Sequence, residues 1–163
     1  MKHQHIAEKK FNRYHKHEFG ENFLWGVSTS APQTEGAATV DGKGLSIWDV
    51  FASKKNKIFN HDSPEVSTDF YHNYKKDIAL MKEMNIPHFR FSIAWSRILP
   101  NGIGAVNEKG IQFYHDVIDS CIAQGIEPWI TLYHWDLPQA LESKGGWTNR
   151  AILEWFNEFV RIC

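Results

Sequence analysis

The chain has 163 residues, a formal net charge of -1, and 42% hydrophobic and 14% aromatic residues. This composition can bury a hydrophobic core, and the balanced charge gives no electrostatic reason to bind nucleic acid. Residues 1–22 contain no apolar stretch typical of a secretory signal or a membrane span. The two cysteines, Cys121 and Cys163, have no metal-binding spacing and fit a reducing compartment. We therefore expect a cytoplasmic protein that binds neither nucleic acid nor membranes.

Two His-x-His pairs near the start of the chain suggest a metal site. They are His3 with His5 and His15 with His17, and imidazoles two residues apart in an extended segment point the same way. Barrel enzymes that use such a pair carry it at the carboxyl end of the first strand, whereas both pairs here precede the first predicted strand. We expect no metal and no cofactor, and we interpret residues 1–18 as a flexible arm.

The first predicted strand alternates large and small side chains from Phe23 to Ser28 and ends before Pro32. The connection after it runs to about Pro64 without an obvious regular pattern. Connections of this length are uncommon inside a compact domain and usually line a functional site.

Three amphipathic helices are predicted next. The first spans about 67–85, the second about 107–125, and the third is capped by Thr148 or Asn149 and continues to the end of the chain. Apolar residues recur on one face of each helix at spacings of three or four: Phe70, Tyr74, Ile78 and Met81; Ile111, Tyr114, Ile118 and Cys121; and Ile152, Trp155 or Phe156, Phe159 and Cys163.

Two further strands separate these helices. One, over residues 87–93, places three apolar side chains on one face and Arg90 on the other, so Arg90 points away from the helices if the apolar face packs against them. The other spans 126–134 and leads into the polar cluster His134-Trp135-Asp136. Alternating strands and helices with mostly apolar strands indicate a parallel sheet covered by helices. Residues 28–36 contain a single glycine, which disfavours a dinucleotide-binding sheet and favours a barrel.

Three stretches resemble the motifs of family 1 glycoside hydrolases, the β-glucosidases and their relatives. They are Phe-Leu-Trp-Gly-Val-Ser-Thr-Ser-Ala-Pro-Gln-Thr-Glu-Gly-Ala at 23–37, Phe-Arg-Phe-Ser-Ile-Ala-Trp-Ser-Arg-Ile at 89–98 and Tyr-His-Trp-Asp-Leu-Pro-Gln at 133–139. They occur in family order, and the similarity extends from Phe19 to Cys163. Pro32 departs from the family pattern, which usually has an aromatic residue or Asn there.

The resemblance implies an α/β fold, the (β/α)8 TIM barrel, with its active site at the carboxyl end of the strands. A complete barrel has eight strand-helix units and about 250 residues, and three units can be counted here. We therefore expect residues 1–163 to be the amino-terminal part of a single glycosidase barrel domain.

The reaction implied by the resemblance is retaining hydrolysis of a β-glycoside, which requires two carboxyl groups about 5 Å apart. Family members carry them in an Asn-Glu-Pro motif after the fourth strand and a Glu-Asn-Gly motif after the seventh. The sequence contains neither motif, so we expect no catalytic residue in this chain and no activity from the chain alone.

The same resemblance assigns substrate-binding residues. Gln33, His134 and Trp135 match side chains that hydrogen-bond hydroxyls of the terminal sugar, and Arg90 matches the arginine that supports the nucleophile. Glu35 and Asp136 also follow strand ends and could be taken for a catalytic pair. The resemblance instead implies that Glu35 fixes its turn and that Asp136 caps the turn into Leu137-Pro138.

Two alternatives remain open from the sequence. A 6-phospho-β-glycosidase is the nearest, because the residues that would grip a phosphate lie outside the matched motifs. A non-catalytic sugar-binding relative comes from a different functional class. The sequence does not define the oligomeric state, and we expect poor solubility because a three-stranded parallel piece leaves two open sheet edges.

Overall fold

The structure is a computed structural model that describes residues 14–163. Three strands, β1 (Val27–Ser28), β2 (His88–Ser92) and β3 (Glu127–Thr131), form one parallel sheet in sequence order. Central β2 aligns Phe89 with Val27 of β1 on one side and with Pro128 of β3 on the other. Strands that are neighbours both in sequence and in space are typical of a barrel segment, whereas doubly wound sheets reverse their strand order.

The helices connect and cover the strands. They are α1 (Ala31–Thr34), α2 (Ile47–Ser53), α3 (Phe70–Glu83), α4 (Trp95–Ile98), α5 (Glu108–Ala123), α6 (Gln139–Glu142) and α7 (Ile152–Ile162). Short 3-10 helices occur at Lys16–Phe19, Val40–Gly42, Phe59–His61 and Gly146–Thr148. The long helices α3, α5 and α7 follow β1, β2 and β3, so the three predicted strand-helix units are present.

The hydrophobic core lies between one face of the sheet and the helices. Phe89, Phe91 and Ile93 on that face are buried, as the alternation of β2 predicts, whereas Arg90 between them is exposed. The core also receives the inward stripe of α5, in which Gly110, Phe113, Tyr114, Val117 and Cys121 recur at helical spacing.

Two predicted strands are longer than the observed ones. Residues 23–26 lie outside β1, and the backbone carbonyl of Trp25 is within 2.6 Å of the His88 ring nitrogen Nδ1 rather than in a ladder hydrogen bond. Pairing of β3 ends at Thr131 because β2 gives way to α4, so the segment from Leu132 to Trp135 is free to form the rim. Strand pairing, which periodicity alone cannot show, sets both boundaries.

Two other predictions need correction. The connection after β1 is not without regular structure, because it contains α1, α2 and two 3-10 helices. Neither Thr148 nor Asn149 is the residue preceding α7: a 3-10 turn ends at Thr148, and Ala151 takes that position. Asn149 still assists, because its Oδ1 accepts a hydrogen bond from the Ala151 backbone N–H.

Most of the predicted arm lies outside the described residues, including His3 and His5. In the remainder, the ring of His15, which precedes the 3-10 helix Lys16–Phe19, stacks on the ring of His17 within it, with 5.6 Å between the ring centroids. Within residues 14–163, no group of three or more metal-ligating side chains is present, and no helix is both long and apolar enough to cross a membrane.

Candidate functional site

A cavity of about 480 Å³ lies where the segments after β1 and β3 meet. Gln33 reaches it from α1, and His134 and Trp135 reach it from the rim segment after β3. The three residues that the resemblance assigns to sugar binding are therefore brought together. Aromatic and apolar side chains of the long connection complete the lining, among them Trp48 and Ile58.

Gln33 is presented by the single turn of α1. Pro32 sits in the first turn of this helix, where a missing backbone N–H removes no helical hydrogen bond, so the departure from the family pattern is compatible with the fold. Ser30 Oγ donates to Gln33 Oε1 at 2.7 Å, and Ser67 Oγ donates to the Gln33 backbone carbonyl. These contacts hold an exposed amide at the cavity wall.

The rim segment changes direction at Trp135. This residue has a φ of 68°, a left-handed conformation that a bulky side chain rarely adopts, and its indole is 71% exposed. His134 beside it is half-buried, and the two ring centroids are 6.3 Å apart. Unfavourable backbone geometry persists only where the surroundings enforce it, and it concentrates at functional sites.

Arg90 does not line this cavity. Its Nε donates to Thr131 Oγ1 at 2.8 Å, and the exposed side chain lies over the open face of the sheet beside Trp25 and Trp129. No carboxylate among residues 14–163 forms an ion pair with it. Arg90 thus lies on the predicted face of the sheet and apart from the three cavity residues.

A buried ion pair lies beneath the cavity. Glu35, which ends α1, accepts from Arg97 Nε at 3.0 Å and from the Tyr114 hydroxyl at 2.5 Å. Burial acts to lower the pKa of Arg97, but the Glu35 carboxylate and other neighbours hold it above its usual value. Burial, followed by the charge of Glu35, raises the pKa of Tyr114 well above its usual range. Glu35 therefore ties α1 to α4 and α5, beyond the local turn predicted for it.

Asp136 is buried near Glu35, with 2% of its surface exposed. Its Oδ1 has no hydrogen-bond partner in the described part of the chain, and the carboxyl faces a second cavity of about 20 Å³ instead of simply capping the turn. Burial, with a smaller effect of Glu35, raises the pKa of Asp136 to about 7. The backbone N–H groups of Asp136 and His134 and the ammonium of Lys43 oppose this rise.

The family model of glycosyl hydrolase family 1 matches residues 15–163. The chain belongs to glycosyl hydrolase family 1. β-Glucosidase A of Thermotoga maritima is 47% identical over 145 residues, which cover 89% of this chain and 32% of that relative. The 6-phospho-β-glucosidase GmuD of Bacillus subtilis is 48% identical over 149 residues, covering 91% of this chain and 32% of that relative.

Solved structures of family 1 enzymes agree with the fold. The Thermotoga maritima β-glucosidase in complex with deoxynojirimycin superposes with a TM-score of 0.85 at 47% identity, covering 87% of this chain and 33% of that one. The family 1 neighbours are TIM barrels, which confirms the predicted fold class. The chain spans about a third of the length of the relatives it matches.

Sequence reasoning left several residues of this family 1 site without a role. Lys43 and Asp49 form a largely buried ion pair of 2.8 Å next to Asp136, and Trp48 lines the large cavity. The spacing of Ser46 and Asp49 is a helix-capping signal, and both side chains do make the reciprocal capping contacts at the start of α2. That signal could have located α2, although it could not have revealed the neighbours of the ion pair.

Proposed function

We propose that this chain is the amino-terminal, sugar-holding part of a retaining β-glycosidase that releases a terminal β-linked glucose or similar sugar from β-glucosides. The convergence of Gln33, His134 and Trp135 on one cavity carries the proposal. Family membership and the names of the relatives, which include β-glucosidases, support it.

Each of the three residues offers hydrogen-bonding chemistry that suits a sugar. The Gln33 amide both donates and accepts, so it can bind two neighbouring hydroxyls at once. The indole of Trp135 donates only, which suits a single hydroxyl, and the His134 ring can donate or accept according to its tautomer. The flat face of Trp48, which is 40% exposed, adds an apolar wall against which a sugar or its aglycone can pack.

The chemical step needs two carboxyl groups, and neither of the family motifs that carry them occurs in this sequence. A retaining mechanism requires one carboxylate to attack the anomeric carbon and a second carboxyl group to protonate the leaving oxygen. Arg90, on the open face of the sheet, would stabilise the ionised form of the attacking carboxylate through its positive charge. In this proposal the chain supplies sugar contacts and a supporting cation, and the two carboxyl groups belong to later units of the barrel.

A 6-phospho-β-glycosidase is a second candidate, because GmuD is as similar to this chain as the β-glucosidase is. Hydrolysis assays on a protein that carries the complete barrel would separate the two, with 4-nitrophenyl β-glucoside, β-galactoside and 6-phospho-β-glucoside as substrates. Turnover confined to the phosphorylated substrate would overturn the β-glucosidase proposal. Absence of turnover on all three, with binding retained, would support a non-catalytic sugar-binding protein.

Sugar binding by the present chain can be tested directly. We expect saturation-transfer NMR to detect binding of methyl 1-thio-β-glucoside, which is uncharged and resists hydrolysis. Added glucose should reduce this signal by competing for the same site. Gln33→Ala and His134→Ala should each weaken binding by about 5-fold or more, because each removes a hydrogen bond worth about 1 kcal/mol.

Gln112→Ala is the matched control. Gln112 is an exposed glutamine on α5 whose amide hydrogen-bonds Asp116, and it does not line the cavity. Its replacement should leave binding unchanged. Equal weakening by Gln33→Ala and Gln112→Ala, or thio-glucoside binding that neither cavity variant affects, would contradict the assignment of the sugar to this cavity.

A further inference from the structure

Three carboxyl groups share the small cavity beneath the candidate sugar site. Glu35, Asp49 and Asp136 line it together with Lys43 and Ser46. Glu35 lies two residues after Gln33, and Asp136 lies two residues after His134. The segments that bring Gln33 and His134 to the large cavity therefore each place a carboxyl group, two residues later, in the same buried polar cluster.

The charges in this cluster do not balance if every acid is ionised. Glu35 is paired with Arg97 at 3.0 Å, and Asp49 is paired with Lys43 at 2.8 Å. Throughout residues 14–163, no Lys, Arg or His nitrogen forms an ion pair with Asp136. Three acids therefore share two cations, and Asp136 is the acid left without one.

The nearest cation is already committed. The Lys43 ammonium, with three protons, lies within hydrogen-bonding distance of Asp49 Oδ2 at 2.8 Å, the Gly44 carbonyl at 3.1 Å and the Ala38 carbonyl at 3.5 Å. An ionised Asp136 would thus be a buried carboxylate beside two others, whereas a protonated one removes that repulsion and can donate a hydrogen bond. The cavity, at about 20 Å³, has room for one water molecule beside Oδ1.

We propose that Asp136 occupies this cavity as an uncharged carboxylic acid and that, in this form, it is a positioning residue for His134 and Trp135; its link to sugar binding rests on the function proposed above. The left-handed backbone of Trp135 is directly joined to Asp136, so displacement of the acid moves the indole at the cavity rim. Loss of the proton places a third negative charge next to Glu35 and Asp49 and drives the side chain out of its place. Burial, and then the charge of Glu35, raises the pKa of Asp136 to about 7, in agreement with an uncharged acid.

Carboxyl carbon NMR of the chain labelled with 13C at aspartate tests the protonation state. We expect one aspartate to titrate with a midpoint near pH 7, and this signal to be absent from Asp136→Asn. If every aspartate titrates below pH 5, the uncharged acid is overturned. Asp41→Asn is the control: Asp41 is a surface carboxylate paired with Lys109, and its replacement should leave the signal near pH 7 in place.

The positioning role needs a second signal from Trp135. With fluorotryptophan labelling, and the resonance assigned through Trp135→Phe, we expect the Trp135 signal to move with the same midpoint near pH 7 in the original chain. Asp136→Asn keeps an uncharged side chain and should hold the signal at its low-pH position throughout, whereas Asp136→Ala should displace it at every pH. If the chemical shift of the Trp135 resonance does not change around pH 7, the positioning role is overturned.

Neither measurement contains a sugar. A chain that shows both titrations but binds no thio-glucoside would overturn the proposed function while leaving the uncharged acid and its hold on Trp135 in place. A chain that binds the thio-glucoside but lacks both titrations would overturn the uncharged acid while leaving the proposed function in place.

Discussion

The two faces of β2 differ completely in their surroundings. Phe89 and Phe91 point to one face, where helices cover them and both are at most 3% exposed. Arg90, between them, points to the other face and is exposed beside Trp129, which is itself 46% exposed. A single strand thus packs into the buried hydrophobic core on one face and is exposed to solvent on the other.

This difference follows from how a barrel closes. The outer face of each strand is covered by helices of its own and neighbouring units, so three units suffice to bury it for the central strand, β2. The inner face is filled by layers of side chains from strands all around the barrel. Three of these strands cannot fill it, and the predictions below test how independent the two faces are.

The largest effect is expected at the buried ion pair beneath the cavity. Glu35→Ala removes the partner of Arg97, which is 1% exposed, and leaves a buried guanidinium uncompensated. We expect a loss of about 3–5 kcal/mol in the free energy of unfolding, measured by urea denaturation at low protein concentration. Lys109→Ala, which breaks the exposed pair with Asp41, should cost much less, because water screens an exposed ion pair. Similar costs for both variants would contradict this distinction.

The two faces can be compared directly on β2. Phe89→Ala leaves a hole in the core and should lower the free energy of unfolding by about 3–5 kcal/mol. Arg90→Ala, one residue along, removes an exposed side chain and its hydrogen bond to Thr131, and should change it by less than about 1 kcal/mol. Thermal denaturation followed by circular dichroism measures both. A larger loss for Arg90→Ala would show that the open face contributes more to stability than its exposure indicates.

The pH dependence of stability should follow Asp136. The folded protein keeps the proton up to about pH 7, whereas the unfolded chain releases it near pH 3.8. Since the unfolded state binds fewer protons between these values, the contribution of Asp136 falls as pH rises through this window, by about 1.4 kcal/mol per pH unit, and is constant above it. Asp136→Asn should lose this dependence, so its stability relative to the original chain should increase from pH 4 to pH 7. If the difference in the free energy of unfolding between Asp136→Asn and the original chain is the same at pH 4 and pH 7, this prediction is wrong.

A smaller effect is expected from the open face as a site of association. Leu24 and Trp25 before β1, and Trp129 on β3, are exposed apolar groups next to unpaired strand edges, which favour contacts between molecules. Light scattering should show concentration-dependent association, which Trp129→Lys reduces. A matched change on the helical side, Leu153→Lys at an exposed position of α7, should reduce it less. A monomeric chain that unfolds cooperatively at all concentrations would contradict the expectation of poor solubility.

The last prediction is that this chain alone does not hydrolyse a β-glucoside. We expect no release of 4-nitrophenol from 4-nitrophenyl β-glucoside by this chain above the rate in buffer, because its sequence contains neither of the two motifs in which the resemblance places the required carboxyl groups. Turnover that is abolished by Gln33→Ala would contradict this, whereas turnover that survives it would indicate a contaminating enzyme.

Much of the fold was predictable because its signals are local. The apolar spacing from Phe70 to Met81 and the alternation around Arg90 are both present in the structure. The ends of β1 and β3 were not predictable, because they depend on where the neighbouring strand stops. The short helices α1 and α2 were missed because one or two turns are too short to show a period.

The candidate site divides in the same way. Motif resemblance identified Gln33, His134 and Trp135, and periodicity identified the face of Arg90. Sequence reasoning could not show that Glu35 meets Arg97, 62 residues away, or that Asp136 forms no ion pair within residues 14–163. Contacts between segments that are far apart in sequence have no local pattern.

The sequence by itself thus determined the family resemblance, the order of strand-helix units and the side chains offered to a ligand, since these depend on residue type and short spacing. Only the tertiary structure decided that three of those side chains meet at one cavity, that Arg90 lies apart from them, and that Asp136 is buried beside Glu35. The physical reason is that burial and charge pairing depend on which distant segments become neighbours when the chain folds.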